Sequence, residues 1–115
     1  MPLAQLMSTP RTKPELAAWQ FANVASHRDI IRRVQETKGI LLEEHPMDPF
    51  DPEDPASLAQ FLNAHQDEHN DFAVALGIAS YDLSEVVWND IDDLSRWVLA
   101  HAQMHIAASQ ILGVS

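Results

Sequence analysis

The chain contains only three glycines, and each of them follows an amphipathic segment of helical periodicity. Gly39, Gly77 and Gly113 suit the left-handed backbone position that commonly ends a helix. In the segments before them, apolar residues recur at about 100° per residue, which predicts helices with one apolar face. We therefore expect an all-α fold built as a three-helix bundle.

Capping residues and prolines indicate where the helices begin. Thr12 and Glu15 fit a capping box, and Asp54 followed by Pro55 is typical of a second helix start. A third helix is expected to follow Asn89 or Asp90. The predicted helices span about residues 13–38, 55–76 and 90–112.

Four prolines at three-residue spacing lie between positions 46 and 55. Proline disfavours helix in the residue before it, so this stretch predicts an extended path. We expect a long proline-rich crossover, residues 39–54, between helices 1 and 2. Residues 1–12 show no periodicity and are expected to form a flexible, extended N-terminal arm, with residues 13–115 as one helical domain.

Charge and composition exclude several classes of protein. The formal net charge of −10 disfavours direct nucleic-acid binding, which depends on cationic side chains. Without cysteine there is no disulfide framework and no thiolate zinc site. No apolar run approaches the length of a membrane span, and the N-terminus does not resemble a signal peptide. With no nucleophile motif or glycine-rich phosphate loop, we expect no enzyme activity and no small-molecule substrate.

Five of the six histidines fall on the predicted apolar faces, each near the middle of its helix. They are His27, His65, His69, His101 and His105. If the helices pack antiparallel, their midpoints lie at similar height and these histidines form one layer. His45 lies in the crossover and is expected to be exposed.

The layer has two interpretations. HQDEH and HAQMH each place two imidazoles one turn apart, a spacing that gives one metal ion two ligands. Zinc is the first expectation, with iron, nickel or cobalt left open, and Glu68 lies to the side of the stripe. The alternative, which we rank first, is a layer of neutral histidines hydrogen-bonded to one another, to Asn63 or Asn70, or to backbone, or else a subunit interface.

Three apolar side chains are candidates for contact residues. Met47 and Phe50 are expected to anchor the crossover, either to the bundle or to a neighbouring subunit. Trp88, expected to be exposed in the connector after the second helix, is a natural interface anchor.

The segment from His65 to Gly113 resembles small helical proteins encoded in the structural modules of tailed bacteriophages, and the likeness extends back to Trp19. The residues that fit the pattern are Trp19, His27, His65, Gln66, His69, Asn70, Leu76, Gly77, Asp82, Leu83, Leu94, Trp97, His105, Leu112 and Gly113. His101 has no clear place in it. The resemblance implies a structural or accessory virion component that binds copies of itself and other virion proteins, located in the virion and, during assembly, in the host cytoplasm.

Overall fold

The computed structural model describes residues 3–47 and 49–113, and these contain four helices and no strand. The helices are α1 (Leu3–Leu6), α2 (Lys13–Lys38), α3 (Pro55–Leu76) and α4 (Ile91–Leu112). The all-α class is confirmed. The three long helices lie within one residue of the predicted bounds. Residues 1, 2, 48, 114 and 115 of the predicted arm, crossover and domain lie outside the described residues.

The predicted extended arm is wrong for its described helical part. Leu3–Leu6 forms α1, which packs against both α2 and α4, so the fold has four helices rather than three. Leu6 is fully buried in the apolar core. The arm is attached because this leucine removes its side chain from water, a contribution that helical periodicity in so short a segment cannot reveal.

Each long helix is capped at both ends, by a side chain at its N-terminus and by the backbone of a glycine at its C-terminus. The Thr12 hydroxyl accepts a hydrogen bond from the Glu15 backbone N–H, and the Glu15 carboxylate accepts one from the Thr12 backbone N–H. Asp54 and Asp90 cap α3 and α4 in the same way, through their carboxylates. Each helix ends at a glycine with φ between 66° and 70°, a conformation in which a side chain would be strained.

The three long helices run parallel, not antiparallel as assumed from the sequence. Trp19, Phe61 and Trp97, from the N-terminal halves of α2, α3 and α4, are in ring contact. A second apolar cluster joins the C-terminal parts of the same helices and contains Ile30, Val34, Phe72, Leu76, Ala108 and Leu112. Matching ends therefore lie at matching heights.

Parallel packing explains why the connections are long. A helix of 22 residues is about 33 Å long, so the chain must travel that distance back before the next parallel helix can start. In the first return segment, residues 39–54, the His45 backbone N–H donates a hydrogen bond to the Glu68 carboxylate of α3. Further along, the Phe50 carbonyl oxygen accepts one from the Gln20 side chain of α2. In the second return segment, residues 77–90, the Tyr81 carbonyl oxygen accepts a hydrogen bond from the Gln66 side chain of α3. The Leu83 carbonyl oxygen accepts one from the Trp97 indole N–H of α4.

The parallel arrangement also accounts for part of the acidic charge. Three helix N-termini lie at one end of the molecule, where the aligned backbone dipoles favour negative side chains. Asp54 and Asp90 cap two of these ends, and Glu15, Asp92 and Asp93 lie in first turns. Helix N-termini therefore explain part of the excess of acids, and the parallel direction of the helices gathers these acids at one end of the molecule.

We predict that Leu6→Ala lowers the free energy of unfolding by about 2 to 5 kcal/mol, because it removes a fully buried side chain and leaves a cavity. The matched control is Leu41→Ala, whose side chain is 77% exposed, and we expect a change within about 0.5 kcal/mol. Urea unfolding followed by circular dichroism measures both. Equal effects of the two substitutions would contradict the packing of α1.

Candidate metal centre

The five core histidines form one layer between the two apolar clusters. α2 supplies His27, α3 supplies His65 and His69, and α4 supplies His101 and His105. All five side chains are at most 1% exposed. The layer predicted from the sequence therefore exists, but parallel rather than antiparallel packing creates it: each histidine lies near the middle of its helix, and the midpoints align.

Three of the imidazoles meet through their Nε2 atoms. His105 Nε2 lies 3.2 Å from His27 Nε2 and 3.0 Å from His101 Nε2. Two nitrogens bound to one ion at about 2.0 to 2.1 Å are separated by about 2.9 to 3.4 Å, from octahedral to tetrahedral geometry. The observed separations fit ligands of a common ion, and they equally fit direct N–H···N hydrogen bonds between neutral rings.

α3 completes the donor set. One ring nitrogen from each of His27, His65, His69 and His101 can be chosen such that all four lie within 4.8 Å of one another. His105 adjoins this group through its contacts to His27 and His101. Three helices thus direct four to five imidazoles toward a single buried point.

Glu68 orients His27, a role that the sequence did not predict. Its carboxylate oxygen Oε1 lies 2.8 Å from His27 Nδ1, and Oε2 accepts a hydrogen bond of 2.9 Å from the His45 backbone N–H. A carboxylate that accepts the Nδ1–H of a histidine leaves Nε2 free to bind a metal, as in many carboxylate–histidine–metal sites. Glu68 is buried rather than set to the side, and His45 is half-buried rather than exposed.

Ser26 has a comparable position beside His105. Its hydroxyl oxygen lies 2.8 Å from His105 Nδ1, and the residue is fully buried. With Nδ1 engaged by the hydroxyl, His105 directs Nε2 toward the centre of the layer. Sequence reasoning missed Ser26; the available signal was its position directly before His27, at the edge of the apolar face.

Five further ring nitrogens bear on the two interpretations of the layer. Both nitrogens of His65, both of His69 and the Nδ1 of His101 are buried without a hydrogen-bond partner. Asn70 is exposed and bonds to Gln66 and Ser80, and Asn63 is exposed, so the expected amide partners are not supplied. Because buried polar atoms without partners are costly, a layer satisfied by hydrogen bonds alone accounts for only part of the cluster.

Burial also sets the protonation of these groups. Desolvation lowers the pKa of His27 to about 3 and holds the pKa of His65, His69, His101 and His105 well below the ordinary value. Neutral imidazole is the form that binds metal ions. Burial raises the pKa of Glu68 to about 7, while the His45 backbone N–H acts in the opposite direction.

The three proposed interface residues lie at the apolar cluster in the N-terminal halves of the helices, which contains Trp19, Phe61 and Trp97. Phe50 is buried and stacks on Phe61 with ring centroids 4.0 Å apart, so its ring anchors the first return segment to the chain's own core, the first of the two roles expected for it. Met47 and Trp88 are half-buried and pack on the same cluster. Trp88 contacts the Phe50 ring edge-on, so the two return segments meet here.

Comparison with protein family models, with curated proteins and with solved structures found no match for this chain. The resemblance to phage structural-module proteins therefore stays a prediction. Within the described part of the chain, no helix combines the length and apolar character needed to cross a membrane.

We predict that stability falls steeply as the solution is acidified from about pH 7.5 to about pH 5. The unfolded chain binds protons on its histidines near pH 6.5, whereas the buried imidazoles stay neutral. The stabilisation is therefore present above pH 6.5 and is lost as pH falls below it, by about 2 kcal/mol per buried histidine at pH 5.

Glu68 opposes this trend, because its raised pKa makes the folded state bind a proton more tightly than the unfolded state. One carboxyl group does not offset five imidazoles, so the net change is destabilising in acid. Thermal unfolding across this pH range measures the effect. A melting temperature that stays constant would contradict burial of the histidine layer.

Proposed function

We propose that this protein is a metal-binding helical protein that holds one transition-metal ion on the five-histidine layer. The observation that carries the proposal is the convergence of buried imidazole nitrogens from three helices, among which those of His65 and His69 have no other partner. A bound cation gives those nitrogens that face it the partner that the protein does not supply.

The donor set favours a borderline divalent ion. Imidazole nitrogen suits zinc, copper, iron and nickel, whereas calcium and magnesium prefer oxygen. Zinc remains the first expectation. Since five nitrogens exceed the four ligands usual for structural zinc, five- or six-coordinate nickel, cobalt or iron also fits the ligand count.

The enclosure of the layer supports a structural or sensing role over catalysis. Three surface cavities, the largest about 440 Å³, are lined by other residues, and no core histidine borders them. A catalytic metal needs a coordination position that a substrate can reach. We therefore propose that the ion ties α2, α3 and α4 together and that the protein is not an enzyme.

Metal binding predicts a stoichiometric ion and a metal-dependent melting temperature. Purified protein should contain about one transition-metal ion per chain, and chelation should lower its stability by about 3 kcal/mol at a metal concentration of about 100 Kd. Elemental analysis and thermal unfolding with and without chelator measure both quantities.

The matched substitutions are His69→Ala and His45→Ala. The first removes a core imidazole and is expected to abolish stoichiometric binding, with folding checked by circular dichroism. The second removes the one histidine outside the layer and leaves its backbone N–H on Glu68, so binding should persist. Metal-free wild-type protein that cannot be reloaded with Zn²⁺, Ni²⁺, Co²⁺ or Fe²⁺ would overturn the proposal.

A second candidate, compatible with the first, is an assembly role in a tailed-phage particle through contacts with virion proteins and copies of itself. Large apolar side chains at the surface favour it, since Phe21, Leu41 and Val74 are 77–87% exposed. Such side chains are natural contact points for a partner.

For this candidate we expect concentration-dependent self-association in analytical ultracentrifugation, weakened by Phe21→Ser without loss of helical content. The control is Gln103→Ser, at an exposed position of α4. A strictly monomeric protein would contradict self-assembly.

A further inference from the structure

Of the three histidines on α2 and α4, two have a hydrogen-bond partner for the ring nitrogen Nδ1, and the third has none. His27 places Nδ1 against Glu68, and His105 places Nδ1 against Ser26. His101 also directs Nε2 inward, 3.0 Å from His105 Nε2, but its Nδ1 is buried and has no partner. A histidine that binds metal through Nε2 carries a proton on Nδ1, which needs an acceptor.

The side chain of Asn23 lies at the height of that nitrogen. Trp19, Asn23 and His27 are successive turns of α2, about 6 Å apart along the helix axis. The His101 ring lies 5.2 Å from the Trp19 ring and 6.0 Å from the His27 ring, so it is level with the residue between them.

Asn23 is itself an unexplained polar residue in the core. It is 1% exposed, and neither its amide nitrogen nor its amide oxygen has a hydrogen-bond partner. The indole N–H of Trp19, one turn earlier, is likewise buried and unpartnered. These donors and this acceptor without partners lie on adjacent turns of α2, and the His101 ring, whose Nδ1 also lacks a partner, contacts the first of those turns at Trp19. Such a group of two to four polar atoms is what holds a buried water molecule.

We infer that Asn23 is a positioning residue of the metal centre and that it acts through one buried water. The water accepts the Nδ1–H of His101 and donates to the Asn23 amide oxygen, which fixes the imidazole with Nε2 toward the ion. The inference rests on the proposed metal site. It gives α2 three functions in neighbouring turns: ligation by His27, orientation of His105 by Ser26 and orientation of His101 by Asn23.

The test uses Asn23→Leu, which keeps the side-chain volume and removes the amide, with Asn23→Ala measured alongside. The control is Asn63→Leu, at an exposed position of α3. Co²⁺ affinity is measured by chelator competition, and the Co²⁺ d–d absorption spectrum reports ligand geometry. We expect the Asn23 variants to bind Co²⁺ roughly 10- to 100-fold more weakly, with an altered spectrum, while the control matches wild type.

Stability of the metal-free proteins separates positioning from packing. Since leucine replaces a buried amide that no protein group partners, metal-free Asn23→Leu should be as stable as wild type or more so, although it binds metal more weakly. Wild-type affinity and spectrum in both Asn23 variants would overturn the inference alone. If wild-type protein itself binds no Co²⁺, the inference and the metal-site proposal fall together.

Discussion

Burial of five imidazoles in one layer is the constraint on which the rest of the structure depends. Each ring brings two polar nitrogens into the core, where an unpartnered polar atom costs about 1 to 3 kcal/mol. Glu68 and Ser26 supply partners for two of the rings, but His65 and His69 have none among the protein groups. Apolar clusters above and below the layer keep its surroundings of low polarity, which strengthens any interaction made within it. The metal ion proposed above would give one nitrogen of each ring that it binds a partner.

The parallel direction of the helices and the structure of the histidine site depend on each other. Three consecutive helices can run parallel only if the chain returns twice along the bundle. Both return segments make hydrogen bonds to the helices that carry the histidines. The first brings the His45 backbone N–H to Glu68, which in turn holds His27. The second is attached to α4 through the hydrogen bond from Trp97 Nε1 to the Leu83 carbonyl oxygen. The connections that parallel packing requires therefore also hold the helices that carry the ligands.

Local signals in the sequence were sufficient for the three long helices and for the histidines on their apolar faces, because caps and periodicity are properties of neighbouring residues. The capping box at Thr12 and the i,i+4 histidine pairs needed no tertiary information. Helix direction was not accessible in this way, since long connections permit either direction. The burial of Leu6 and of Glu68 depends on segments distant in the chain, α1 against α4 and the first return segment against α3. The roles of Glu68 and Ser26 beside the histidine Nδ1 atoms were missed for the same reason.

X-ray absorption spectroscopy of the metal-loaded protein tests the central claim most directly, because it counts the atoms bound to the ion. The account predicts a shell of four to five nitrogens at about 2.0 to 2.1 Å, with the multiple scattering characteristic of imidazole. That spectrum should be unchanged in His45→Ala. A shell made only of oxygens, as expected for an ion bound to the acidic surface, would contradict the assignment of the histidine layer as a metal centre.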